Sequence, residues 1–279
     1  MELLAINFHL WKFCNYKCRF CFATFEDVPG RLDREAALRV VEVLAPHCDK
    51  ITYVGGEPTL CPFLGDLVER GRELGLTTSI VSNGERLRPL IERHGASLDW
   101  VGLSVDSAIE ATSIALGRGT GGHISRSLEL ARLSREHDIL VKLNTVVTAL
   151  NHEEDMSAFI RAMWPDRWKV FQVLPVQGQN DGRVEPLLIT AEQFRGFVAR
   201  HEPLAAEGFA PVPEDNNDMT GSYVMIDPMG RFFDNVDGRL VYSPPILDVG
   251  LEAAFAAVRW ERERLIARGG LYAWRRPKR

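Results

Sequence analysis

The sequence predicts an α/β fold: an incomplete barrel of six parallel strands, each followed by a helix, with a C-terminal extension. Two observations carry this reading. Short apolar runs alternate with segments of helical periodicity through the first 202 residues, the pattern of parallel βαβ units. Past Pro203 the alternation stops, and prolines and asparagines take over. The domains accordingly read as 1–202 for the partial barrel and 203–279 for an extension that closes a substrate pocket.

Residues 3–10 form a short, bounded apolar run that suits a buried strand feeding a cysteine-bearing loop. Residues 32–44, after Pro29-Gly30, have apolar residues at helical spacing, with Asp33 as the cap. A strand over 50–54 ends in Gly55-Gly56-Glu57-Pro58. The alternation continues as helix 62–74, strand 77–82, helix 85–94, strand 98–104, helix 124–137, strand 139–147, helix 153–164, strand 168–174 and helix 191–201. In the extension, Pro211, Pro213 and Asn216-Asn217 mark loop, 222–233 reads as two short strands around Pro228-Met229-Gly230, and 251–268 as a helix. The tail 274–279 reads as a loose end. In such a barrel, functional groups gather at the C-terminal ends of the strands.

Composition narrows the class. A chain of 279 residues with 46% hydrophobic residues has the make-up of a globular enzyme. Its net charge of −5 argues against a broad nucleic-acid-binding surface. No apolar run approaches the roughly 20 residues of a membrane span, and Met1 leads almost directly into the first strand. The expectation is a cytoplasmic protein with no membrane or nucleic-acid partner; the sequence leaves its oligomeric state open, with a monomer favoured.

The stretch F-C-N-Y-K-C-R-F-C-F places Cys14, Cys18 and Cys21 on one short loop. A [4Fe–4S] cube takes one thiolate per iron in the all-cysteine case, so three cysteines leave one iron open. The amino and carboxylate groups of S-adenosylmethionine suit that position, and reductive cleavage of its sulfonium would give a carbon radical. Structural zinc usually wants two close cysteine pairs, and Cys48 and Cys61 stand alone. A disulfide framework needs an oxidising compartment. Cys48 and Cys61 read as ordinary buried thiols.

Several strand ends carry groups that suit this chemistry. Gly55 and Gly56 let a backbone approach a ligand closely, and their carbonyls or Glu57 could accept from the ammonium of the methionine moiety. A tight strand-to-helix turn would also explain them. Ser82, Asn83, Ser104 and Asp106 fall at or just after strand ends, where each could equally cap a helix or satisfy a turn.

The order of these motifs resembles the viperin family of radical S-adenosylmethionine (SAM) enzymes. The likeness runs through F-H-L-x-x-x-C-N-Y-K-C-x-F-C-F, Gly55-Gly56-Glu57-Pro58, Ile80-Val81-Ser82-Asn83-Gly84, Ser104-Val105-Asp106-Ser107, Gly117-Arg118-Gly119, Arg167-Trp168-Lys169-Val170-Phe171-Gln172, Ile246-Leu247-Asp248-Val249-Gly250 and Arg268-Gly269-Gly270. The resemblance implies a partial (β/α)6 radical SAM barrel whose Cys14, Cys18 and Cys21 hold a [4Fe–4S] cluster. Phe20, Gly55, Gly56, Glu57, Ser82, Asn83, Ser104 and Arg118 would contact S-adenosylmethionine, with Arg118 at its carboxylate. Lys50, Lys142, Asn144, Arg167, Lys169, Tyr223 and Arg268 would hold a nucleoside triphosphate, with Lys142 and Tyr223 also at catalytic positions. A flavodoxin or ferredoxin would supply electrons.

The implied reaction removes the 4′ hydrogen of a ribonucleoside triphosphate and expels the 3′ hydroxyl. It leaves a 3′-deoxy-3′,4′-didehydro nucleotide that terminates polymerisation and serves antiviral defence. Cytidine triphosphate is the leading substrate, with uridine and guanosine triphosphates open. The residues offer a partial check, since a triphosphate needs several cations converging on one cavity. Lys50, Lys142, Arg167 and Lys169 lie on or beside three strands, and a lysine inside Leu140-Val141-Lys142-Leu143 is costly unless paired. Pro244-Pro245 and Leu271 stand where animal members carry basic residues, which makes Arg268 or Arg239 candidate substitutes. Trp11 and Lys12 also depart from the family, close to where a base could sit. A radical enzyme acting on a peptide or other small molecule, or an iron–sulfur sensor without substrate, remain the alternative readings.

Overall fold

The computed structural model describes residues 2–274. Six strands pair in parallel and in chain order: β1 (Leu4–Trp11), β2 (Cys48–Gly55), β3 (Thr77–Ser82), β4 (Trp100–Ser104), β5 (Leu140–Val147) and β6 (Arg167–Gln172). Their outer face is covered by helices α1 (Arg34–Leu44), α2 (Leu64–Glu73), α3 (Arg88–His94), α4 (Glu110–Ala115), α5 (His123–Glu136), α6 (Ser157–Met163) and α7 (Ala191–His201). α1 starts where expected, because the Asp33 carboxylate accepts from the Ala36 amide at 2.8 Å. It buries Val40, Val41 and Leu44. α4 has no counterpart in the sequence reading, and the helix expected over 153–164 forms only from Ser157.

The two-residue period of the strands sorts apolar groups from functional ones. On β5, Val141, Leu143, Thr145 and Val147 are wholly buried, while Lys142, Asn144 and Val146 face a cavity inside the sheet. On β6, Trp168 and Val170 join the hydrophobic core and Lys169 faces the cavity. Parallel register sets Gly102 beside Lys142 and Lys142 beside Arg167, with Asn144 beside Lys169 one step higher. Gly102 keeps this level open, since a Cβ there would lie 2.9 Å from Val81 and 3.4 Å from the Lys142 side chain.

Chain beyond residue 203 adds strands to both edges of the same sheet. β7 (Pro211–Glu214) pairs parallel with β6, and β8 (Val224–Ile226) parallel with β1. β9 (Arg231–Asp234) and β10 (Val241–Pro245) continue antiparallel from β8. Residues 211–214 read as loop in the sequence because of their prolines. They form a strand because β7 is the last in the sheet and its outer edge needs no amide donors. β10 was likewise missed. The helix expected over 251–268 is broken into Leu251–Phe255 and Arg262–Ala267, and between them the Glu261 amide donates to the Gly221 carbonyl at 3.1 Å. Trp274, expected in a loose tail, accepts from the Trp100 indole at 2.7 Å; residues 275–279 lie outside the described residues. Among the described residues, no helix is long and apolar enough to cross a membrane.

Candidate active site

The loop after β1, the strand ends and the start of the extension enclose a cavity of about 580 Å³, within the range of small-molecule sites. Cys14, Cys18 and Cys21 all line it, and none is in a disulfide. Glycines let this loop seat against its neighbours. A Cβ on Gly117 would fall 2.2 Å from the Lys17 carbonyl oxygen, and that contact is used: the Lys17 amide donates to the Gly117 carbonyl at 3.2 Å. Gly55 and Gly56 play the same part, because a Cβ on either would lie 2.4 Å from the carbonyl oxygen of Trp11 or Phe13. The close approach expected of these two glycines is therefore made first by the protein's own loop, and both also line the cavity.

The donor set fits a cluster. Burial pushes all three thiols up, Cys18 to about 12, so thiolates here need the compensating charge that iron brings as the protons leave. Among the described residues, no three His, Cys, Asp or Glu side chains converge as on a single ion. A cube asks for no such convergence, since each thiolate meets a different iron.

Above the loop, Glu57 is 1% exposed and already engaged. Its carboxylate accepts from the Ser82 hydroxyl at 2.7 Å, the Thr59 hydroxyl at 2.6 Å and the Asn83 amide at 2.8 Å. Burial nonetheless raises its pKa. Ser82 thus spends its hydroxyl on Glu57, while the Asn83 side chain reaches Asn15 at 2.9 Å and the Cys14 sulfur at 3.9 Å. Ser104 lines the cavity, with its carbonyl facing the His123 ring nitrogen at 2.9 Å. Arg118 packs over Phe20 at 5.3 Å and is held by Asp106, Nε to Oδ2 at 2.7 Å. Asp106, noted in the sequence only as a strand-end residue, is what fixes this guanidinium.

Below, five cations gather, two of them paired with one buried carboxylate, Glu214. Lys169 and Tyr223 both bond to Glu214, Lys169 reaches the Tyr223 hydroxyl at 2.8 Å, and Arg268 reaches Glu214 at 2.9 Å and the Ser222 carbonyl at 3.2 Å. These side chains tie Glu214 at the end of β7 to Tyr223 just before β8, two strands that do not pair with each other. Arg167 donates to the Gly269 carbonyl at 2.6 Å and stacks on Tyr272 at 4.0 Å. Lys50, 4% exposed, donates to the Tyr272 hydroxyl at 2.7 Å. Lys142 makes no hydrogen bond or ion pair among the described residues, and the buried Asn144 Oδ1 has no partner either.

Burial, then repulsion from Arg167, pushes Lys142 down to about 8. Burial and the neighbouring cations carry Lys50 well below its usual value, and burial does the same to Lys169. Lys169 and Arg268 in turn hold Glu214 below the usual carboxylate range against its own burial. A polyanion in contact with these groups would favour their charged forms.

Of the expected substrate contacts, Lys142, Asn144, Lys169 and Tyr223 line the cavity; Lys50, Arg167 and Arg268 do not. The last three lie beside it, against Tyr272, Gly269 and Glu214. Leu271 is 43% exposed and Pro244 is also exposed, so those two departures from the family pattern lie outside the cavity wall, as does Arg239. Trp11, expected near the base, instead packs under Arg31 at 4.4 Å and against Phe63. Lys12 does line the cavity but donates to the Val28 carbonyl at 2.6 Å. Sequence reasoning missed Glu214 and Tyr272 altogether, as neither stands in a motif or at an expected strand end.

The family model of the radical SAM superfamily matches residues 9–163. The chain is 43% identical, over 97% of its length and 96% of the relative's, to an S-adenosylmethionine-dependent nucleotide dehydratase of Flammeovirga pacifica. It is 37% identical, over 97% of its length and 78% of the relative's, to the S-adenosylmethionine-dependent nucleotide dehydratase RSAD2 of Danio rerio. Among solved structures, Streptococcus suis SuiB bound to S-adenosylmethionine superposes with a TM-score of 0.66 at 16% identity, over 83% of this chain and 60% of that one. That last likeness concerns the fold.

Proposed function

Because the chain belongs to the radical SAM superfamily and to its viperin-like nucleotide dehydratases, enzymes that use a [4Fe–4S] cluster and S-adenosylmethionine, we propose that its substrate is a ribonucleoside triphosphate. Cytidine triphosphate leads, with uridine and guanosine triphosphates next. The observation that carries this is the group of five cations at and beside the base of the cavity, of which, among the described residues, only Lys169 and Arg268 are paired with a carboxylate, Glu214. Three linked phosphates match that excess of charge better than a peptide or a single anionic group would.

In this reading Cys14, Cys18 and Cys21 hold the cluster. Phe20, Gly55, Gly56, Glu57, Ser82, Asn83, Ser104 and Arg118 surround S-adenosylmethionine. When bound, the two groups supply a deoxyadenosyl radical able to take the 4′ hydrogen of a ribose. Lys50, Lys142, Asn144, Arg167, Lys169, Tyr223 and Arg268 fix the triphosphate, which holds the sugar in reach. Lys142, poised near about 8 and without a partner, and Tyr223, hydrogen-bonded to Lys169, are the groups able to move a proton as the 3′ hydroxyl leaves. The product is the 3′-deoxy-3′,4′-didehydro nucleotide, a chain terminator suited to antiviral defence. Electrons come from a flavodoxin or ferredoxin.

Anaerobic incubation with reductant, S-adenosylmethionine and each ribonucleoside triphosphate in turn tests this. One nucleotide should be consumed, and its apparent KM should rise as pH climbs through about 8. The sign follows from Lys142: the free protein binds phosphate best with this lysine charged, and the charge is lost as pH rises through about 8. Consumption of no nucleotide at any pH would remove the proposal.

A further inference from the structure

The wall formed by β1, β8 and β9 holds polar groups that the cofactor and phosphate contacts leave unused. On β1 the two-residue period turns Asn7 and His9 toward the cavity. Asn7 is level with Met225 on β8, one inward position above Tyr223. The wall thus climbs from Tyr223 at the cationic end, through Asn7, to His9, about 13 Å of strand rise over four residues.

The surroundings of His9 are aromatic. Phe22, Phe25 and Phe233 pack edge-on against its ring at 6.1, 5.3 and 5.2 Å. The ring is 4% exposed, and neither ring nitrogen has a hydrogen-bond partner among the described residues. Burial pushes its pKa down to about 3, so it is neutral. Other polar groups nearby are already occupied. Asn235 accepts from the Gly221 amide at 3.2 Å, Gln172 donates to the Ile189 carbonyl at 3.3 Å, and the Thr24 hydroxyl bonds to Gln179 at 2.9 Å. Asn7 and His9 are not.

We infer that Asn7 and His9 read the nucleobase, with His9 Nε2 donating a hydrogen bond to a ring carbonyl. This rests on the nucleotide reading above. A flat, uncharged, partly apolar ring with a hydrogen-bonding edge is the part of a nucleotide that fits an aromatic wall carrying two neutral polar side chains. The tautomer follows from burial. His9 Nδ1 is sealed from solvent without a partner, and an N–H there would be an unsatisfied buried donor, so the proton belongs on Nε2. Cytosine, uracil and guanine all carry a carbonyl; adenine does not.

The test is the ratio of kcat/KM for cytidine triphosphate over adenosine triphosphate, in the parent protein and in His9→Phe, His9→Gln and His9→Asn. The parent should favour the carbonyl-bearing base. His9→Phe should shrink the ratio by about tenfold or more, the scale of one buried hydrogen bond used for discrimination. Inhibition by inorganic tripolyphosphate, which needs only the cations, should stay within about twofold of the parent. His9→Gln, whose amide nitrogen falls near Nε2, should keep most of the preference, and His9→Asn should not, so the answer survives if the Phe variant misfolds. A ratio unchanged in the Phe and Asn variants, or a parent that consumes all four nucleotides alike, overturns base reading while nucleotide dehydration stands. A parent that consumes no ribonucleotide overturns both.

Discussion

Replacing Cys18 with alanine should abolish the iron–sulfur absorption of the anaerobically reconstituted protein and, with it, all formation of deoxyadenosine. Cys14→Ala and Cys21→Ala should do the same. The effect is all-or-none because these three thiols alone face the cavity from the loop after β1. Their burial makes each thiolate dependent on bound iron. Cys48 and Cys61 serve as controls. Neither lines the cavity, so Cys48→Ala and Cys61→Ala should keep about four irons per chain. Iron content and visible absorption check this, and loss of the cluster from either control alone would mean the ligands are misassigned.

The second large effect is expected at Glu214. It is wholly buried and is the only carboxylate that ion-pairs with Lys169 and Arg268 among the described residues. Glu214→Gln leaves both cations uncompensated, which costs about 3 to 5 kcal/mol when a buried pair loses one partner. Lys169 already sits well below its usual pKa and can shed its proton, which limits the loss. At roughly 2 to 4 °C per kcal/mol for a chain of this size, Tm should fall by about 6 °C or more. Inorganic tripolyphosphate should then raise Tm more in the variant than in the parent, because the added anion takes over the work of the missing carboxylate. Equal Tm values with and without the anion would show that these charges do not act on one another as their distances suggest.

Legibility in the sequence followed how local each signal is. The βα alternation from β1 to β6 could be read because apolar periodicity is a property of short segments. Lys142 stood out because a lysine between Val141 and Leu143 has few structural reasons to be there. β7 could not be read, since Pro211 and Pro213 argue against a strand until one knows that it lies at the sheet edge. Glu214 could not be read either, as its partners Lys169, Tyr223 and Arg268 come from three distant segments. The setting of His9 is partly of the same kind: Phe22 and Phe25 reach its ring from the nearby loop after β1, but Phe233 does so only through the pairing of β1 with β8 and of β8 with β9. Trp11 shows the opposite failure, a conspicuous local departure that turns out to pack against Arg31 and Phe63, away from the cavity wall.

The central claim is that the cations at the base of the cavity hold a ribonucleotide so that its 4′ hydrogen meets the deoxyadenosyl radical. Turnover with cytidine triphosphate deuterated only at the 4′ carbon tests it most directly. One deuterium should appear in the deoxyadenosine formed, and none when the label is at the 3′ or 5′ carbon instead. Deuterium arriving from another ribose position, or unlabelled deoxyadenosine accompanied by modification of a peptide, would contradict the account.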